Sequence, residues 1–285
     1  MDETTPATIG RKLWGRLEAI HVLAYFAPRV LEAQARLGLG DRMVGYVAGR
    51  SAPMGPVGPE LVTAAFYGFS PAMIAHALPA AWATTTPEQV LETNQRALTD
   101  LLHELIGDAE ELPRAAELAR EAALLQPVLG RPLAAAWSSV AWGGDPELVL
   151  WQAATRIRES RGDGHVALLV DAGLDGVEAH LTARGDTPKL RAILGATRGI
   201  TDGEWDAAAD RLRARGLLDT DGALTADGVA LREHLERRTD ELAAPAWAAF
   251  GAERSVSLLA ALDPLVGRVL DAGIVPGVVA RVATA

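Results

Sequence analysis

Residues 201–225 read TDGEWDAAADRLRARGLLDTDGALT, and this stretch limits the fold more than any other. Trp205, Ala208, Ala209 and Leu212 recur at i, i+3, i+4 and i+7, which predicts an amphipathic helix over about 202–215 with that stripe buried. Apolar stubs then flank Asp221-Gly222, a dipeptide suited to a tight hairpin turn. Thr225-Ala-Asp-Gly opens a further long helix towards Phe250.

Upstream, helical spacing is expected over 163–183 and 188–194, joined by short connections. Helix, helix, helix, small β-hairpin, helix is the order of a winged helix. The rest of the chain is also helical in period. Leu13, Leu17, Ile20, Ala24 and Ala27 mark a first helix that Pro28 kinks or breaks. RSAPMGPVGPE, residues 50–60, reads as a loop because of its Pro and Gly content. A helix from Pro87 to Ile106 follows three threonines that offer an N-cap. Gly162 and Gly164 are expected to end a helix begun at Pro146 and to let another start at Asp163. The expected fold class is therefore all-α, with one small wing hairpin as its only β structure. A helical region over 1–158 is expected to precede a winged-helix region over 159–285.

Apolar residues make up 49% of the 285-residue chain, enough for a full core. No uncharged apolar run is long enough for a transmembrane helix. The N-terminus opens with acids and lacks an apolar signal-peptide core, so a cytoplasmic location is expected. With no cysteine, disulfides, thiolate metal sites and cysteine nucleophiles are excluded.

Charge bears on nucleic acid. The formal net charge is −10, and residues 198–238 carry seven basic and nine acidic side chains. A recognition helix offers its N-terminal residues to the groove, and phosphate contacts need Arg or Lys. Here those residues are Asp202, Gly203, Glu204 and Asp206, and Asp202, Asp206 and Asp210 form an outward row. The hairpin tip is acidic as well. This pattern counts against DNA without closing the question, because arginines elsewhere could form a patch.

RIRESRGDGHVALLVDAGLDGVEAHL at 156–181, RGITDGEWDAAADRLRARGLL at 198–218 and GRSAPMGPVGPELVTAAFYGFSP at 49–71 together resemble an actinobacterial family of helix-turn-helix-type proteins. The resemblance spans most of the chain. It implies a helical N-terminal region joined to a MarR-like winged helix, and it implies no catalytic set.

Chemistry is most concentrated at RESRGDGH, residues 158–165. A helix starting there would present free N–H groups to an anion, with Arg158 and Arg161 nearby. His165 in that first turn would be held neutral by the helix dipole, as suits a base or ligand. The same residues also suit an inter-helix corner held by Arg–Asp and Arg–Glu pairs. His21 and Tyr25, four residues apart, share a helix face as a core pair or a pocket wall. Arg50 precedes the Pro/Gly loop and Phe66 and Tyr67 follow it, which reads either as a pocket rim or as core packing. Trp151 is a further candidate wall.

The leading expectation is a protein that binds a small organic ligand, anionic or aromatic, in a pocket between the two regions. Tyr25, Arg50, Phe66, Tyr67, Trp151, Arg158, Arg161 and His165 would hold it, and the winged helix would serve as scaffold. One alternative is a ligand-responsive, DNA-binding regulator. Another is an enzyme of specialised metabolism with His165 or His21 in an acid–base, metal or haem role. Phosphate-loop, dinucleotide, zincin and serine-hydrolase motifs are absent, so no cofactor is assigned and no metal site is expected. Long helices flanking a winged helix suggest a homodimer.

Overall fold

The computed structural model describes residues 5–284. Its helices are α1 (Pro6–His21), α2 (Leu23–Phe26), α3 (Pro28–Arg36), α4 (Arg42–Ser51), α5 (Pro59–Phe66), α6 (Pro71–Thr84), α7 (Pro87–Ile106) and α8 (Leu112–Leu124). They continue as α9 (Pro132–Ser138), α10 (Pro146–Asp171), α11 (Gly176–Arg184), α12 (Pro188–Arg198), α13 (Asp202–Ala214), α14 (Ala226–Phe250), α15 (Ala252–Asp271) and α16 (Gly277–Ala283). No helix among the described residues is long and apolar enough to cross a membrane.

Proline and short polar caps set most starts. Pro28 opens α3, as its missing N–H allows only in a first turn. Thr86 caps α7 in a reciprocal box with Gln89. Asp41 accepts the N–H groups of Met43 and Val44 at the head of α4. That helix runs two residues beyond Gly49 and passes into a 3-10 turn at Ala52–Met54, so the loop expected over 50–60 is shorter.

The all-α class holds, but the wing hairpin does not form: among the described residues there is no strand, only a single antiparallel bridge between Leu218 and Leu224. The apolar stubs are too short for a ladder. Asp219 also bends the chain locally: its Oδ1 accepts the N–H of Asp221 at 2.9 Å and of Ala223 at 2.8 Å. Thr225 then accepts the Gly228 N–H at 3.1 Å as α14 begins.

A second correction concerns RESRGDGH. No helix ends or starts at 162–164; α10 runs unbroken through both glycines. Each glycine costs about 1 kcal/mol in a helix interior, which tertiary contacts readily outweigh. The contacts here are strong. Glu159 is held by two arginines, Asp163 accepts the Ala134 N–H at 2.9 Å, and Ser160 donates to the Pro127 carbonyl at 2.9 Å. The break falls instead at 172–175, where Gly173 takes φ +64° and Asp175 forms a capping box with Glu178.

Two compact units emerge, each drawn from separate stretches. The first comprises Met1–Pro56, Ala81–Asp163 and Asp240–Ala285. Within it α1 packs on α15 and α16, α7 on α3 and α4, and α8 on α15. Its core is built from Leu13, Leu17, Ile20, Leu98, Leu102 and Leu262, all fully buried. The second comprises Val57–Ala80 and Gly164–Thr239, and in it α13 packs on α11 and α12. Its core is the expected stripe of Trp205, Ala208, Ala209 and Leu212, joined by Leu181 and Leu235.

Candidate functional site

Within the first unit, four arginine and glutamate side chains meet under cover. Arg50 forks onto Glu159, with Nε and Nη2 each donating to one carboxylate oxygen at 2.9 Å. Arg158 Nη1 donates to Glu159 Oε2 at 2.9 Å and its Nε lies 3.7 Å from Glu18 Oε2. Burial alone would raise the Glu159 carboxyl, but Arg158 and Arg50 outweigh it and hold it far below the usual range. At Glu18 burial prevails over Arg158, so that carboxyl is raised. Arg161 donates to Asp240 at 2.8 Å and lies over the Trp14 ring at 4.3 Å. The arginines expected to bind an anion are thus engaged by the protein's own acids.

His21, 1% exposed, sits beside this cluster. Its Nδ1 is 3.0 Å from Thr155 Oγ1, and Nε2 has no partner. Burial, reinforced by Arg158 and opposed by Glu159, pushes the imidazole down to about 3. A histidine so disposed is neutral at physiological pH, with a proton on one ring nitrogen only. Among the described residues no group of three His, Asp or Glu side chains could hold a metal ion.

The neighbouring aromatics enclose a small chamber. Tyr25 meets His21 edge-on at 5.1 Å and Tyr46 at 4.6 Å between ring centroids. Trp151 meets Trp137 edge-on at 5.5 Å and donates its indole N–H to the His21 carbonyl at 3.3 Å. Tyr25, Tyr46, Trp137 and Trp151 line a cavity of about 10 Å³, completed by the amides of Gln34, Asn94 and Gln95. Gln34 Nε2 donates to Asn94 Oδ1 at 3.1 Å. The Trp137 Nε1 and Gln95 Nε2 groups are buried without an acceptor. Of the sequence candidates, Tyr25 and Trp151 therefore converge. Tyr46, Trp137 and the three amides join them, and no pattern in the sequence distinguishes those amides from surface ones.

The second unit holds the other candidates. The Tyr67 hydroxyl donates to the Leu174 carbonyl, and Phe66 packs edge-on against Phe69 at 5.4 Å. His165 lies in the body of α10 with Nδ1 2.8 Å from Thr239 Oγ1, so the first-turn position expected for it is not realised. Next, α12 and α13 are joined by Gly199, Ile200 and Thr201. Gly199 turns the chain at φ +69°, and Thr201 and Glu204 cap α13 reciprocally. Two helices on a three-residue turn with a left-handed glycine form a helix-turn-helix. Residues 10–276 match the Helix-turn-helix family. The chain belongs to that family. No curated protein and no solved structure matches it.

In this helix-turn-helix protein the outer face of α13 is acidic, as its sequence indicates: Asp202, Asp206 and Asp210 are exposed. Arg191 pairs with Asp206, and Arg213 Nη1 with Asp210 at 3.0 Å. The arginines nearest the row therefore neutralise it in part. The turn also depends on Gly199: a Cβ there would lie 2.9 Å from the Met73 Cβ, and the left-handed backbone costs an L-residue roughly 1–2 kcal/mol. Gly199→Ala should lower stability by about that amount. A urea midpoint equal to wild type would show that the turn relaxes freely.

Proposed function

We propose that this helix-turn-helix protein binds a small molecule, held in the first unit against Tyr25, Tyr46, Trp137 and Trp151. The observation that carries this reading is the pair of buried N–H groups, on Trp137 and Gln95, that face no acceptor while their residues line one aromatic chamber. An unmet buried donor costs about 1–3 kcal/mol, and native interiors hold few of them. A chamber of about 10 Å³ has room for roughly one water molecule. Leu91 and Gln95, both half-buried, border it, and a larger ligand would require their side chains to move. Protein purified without stripping should retain a small molecule in native mass spectrometry. It should also gain thermal stability with that molecule, by about 2.7 kcal/mol at a hundredfold excess over Kd. A bare mass, together with no thermal shift from any member of a metabolite library, would refute the reading.

In this reading α13 is a scaffold element rather than a base reader. The acidic exposed row supports that role, since like charge meets the phosphates. The second reading, a ligand-responsive regulator, is favoured by the family match and the α12–α13 geometry. A fluorescence titration with mixed-sequence duplex DNA at about 50 mM salt, where phosphate contacts are strongest, separates the two. No saturable binding is expected, and micromolar affinity would favour the regulator.

A further inference from the structure

A charged cluster that takes no part in the chamber lies on α8, α10 and the loop between α9 and α10, and its residues all belong to the first unit. Arg50 and Arg156 are the two most deeply buried arginines among the described residues, at 7% and 6% exposure. Arg50 is matched by the Glu159 fork. Arg156 has no carboxylate: its one protein acceptor is the Val140 carbonyl, bonded by Nη2. Its guanidinium lies over the Trp142 ring at 3.8 Å. A second guanidinium, Arg120, approaches the same ring at 5.2 Å and has no acid or carbonyl partner.

The two cations are therefore like-charged neighbours. Burial, then the Arg120 charge, lowers the Arg156 guanidinium from its ordinary range. An arginine does not shed its proton in a protein, and an indole face offsets only part of a cation's lost hydration. The acids of the same helices are engaged elsewhere. On α8, Glu117 bonds Arg114 at 2.8 Å and Glu121 bonds Arg254 at 3.1 Å. On α10, Glu147 bonds His103 at 2.8 Å and Glu159 serves Arg50 and Arg158.

The ring is fixed in place. Gln152, one helical turn before Arg156, is 1% exposed; it accepts the Gly143 N–H and donates to the Ala141 carbonyl, both at 2.9 Å. Those bonds hold the backbone on either side of Trp142. Ala141, Gly144 and Arg120 are exposed, so the cluster is open to solvent on that side.

We infer that Arg120 and Arg156, over Trp142, form a site for the terminal phosphate of a small phosphate monoester. Such a group carries about −1.5 to −2 charge near neutral pH, which matches two uncompensated guanidiniums. Its oxygens accept charge-assisted bonds from guanidinium forks. A carboxylate or a phosphodiester brings a single charge and leaves one guanidinium unmatched. The recessed position of Arg156 also favours a terminal phosphate over one within a polymer backbone.

Methyl phosphate, dimethyl phosphate and acetate, titrated into the full chain at constant ionic strength, test the assignment. The readout is the indole N–H signal of Trp142 in nitrogen-15 spectra, assigned by its loss in Trp142→Phe. Methyl phosphate is expected to move that signal saturably and to bind more tightly than the other two. Arg156→Gln and Arg120→Gln should each weaken it about tenfold or more, as loss of a charge-assisted bond implies. Arg120 is exposed, so Arg120→Gln keeps the test intact should Arg156→Gln fold poorly. Arg114→Gln, on the same helix but in a pair with Glu117, should leave binding unchanged. No saturable shift with methyl phosphate at millimolar concentration, equal binding of dimethyl phosphate or acetate, or an Arg120→Gln loss no larger than that of Arg114→Gln would overturn the assignment. The chamber is tested separately, by its own mass and thermal measurements.

Discussion

Replacing Glu159 by alanine should destabilise the protein by about 3–5 kcal/mol, because it strands buried positive charge. The carboxylate is fully buried and receives the Arg50 fork and one Arg158 N–H. Arg50 is 7% exposed and cannot reach bulk water without moving α4. Arg158 is partly exposed and can turn outward, so the larger share of the loss comes from Arg50. Removing both members of the fork is a different case: Arg50→Met with Glu159→Leu strands no Arg50 charge, leaves the partly exposed Arg158 beside Glu18 at 3.7 Å, and should recover the Arg50 share of the loss. Urea denaturation of the two single variants and the double variant gives the coupling directly. A loss below about 1 kcal/mol for Glu159→Ala would place the pair among solvent-screened surface bridges, where such small values are usual.

Acid should weaken the fold through His21, with a contribution on the order of 3–5 kcal/mol. The folded imidazole is depressed to about 3, while the unfolded one titrates near 6.5. Between those values the unfolded chain binds the extra proton, so stability falls as pH drops through this window. Asp163 acts in the opposite sense. Burial raises its carboxyl to about 6, against the pull of the Ala134 N–H. From about 3.8 to 6 the unfolded carboxyl is ionised and the folded one is not, so this group loses stability as pH rises. The wild-type profile is then a partial cancellation. His21→Asn should flatten the acid loss and Asp163→Asn should steepen it, both read from urea midpoints between pH 7 and pH 4. Slopes changing in the same direction would show that one of the two groups is assigned the wrong environment.

The helices were largely legible because their signals are local. Pro87 after Thr86 marks the start of α7, and the Trp205–Leu212 stripe marks both the presence of α13 and its buried side. The same local logic failed where tertiary contacts outweigh it. Gly162 and Gly164 look like a break, yet Arg50, Ala134 and Pro127 hold α10 straight through them. The true break had a legible signal in Asp175 and Glu178, a capping box spaced by three residues. The expected wing shows the limit from the other side. Asp221-Gly222 does turn the chain, but a turn dipeptide does not say whether its flanks are long enough to pair. At the chamber, Tyr25 and Trp151 were legible as candidate walls, whereas Gln34, Asn94 and Gln95 carry no pattern that predicts burial.

By itself the sequence determined the helical class, most helix starts, the stripe that buries α13 and the acidic row that α13 turns outward. Each follows from spacing of 3.6 residues per turn and from caps formed within a few residues, interactions that need no distant partner. Only the tertiary structure decided that Arg50 and Arg158 serve Glu159 and Glu18 rather than an anion, that His21 is buried and neutral, and that Trp137 and Gln95 border one chamber. Those outcomes depend on burial and on partners far away in the chain, and a side chain's charge, pairing and solvation are set by what surrounds it in space.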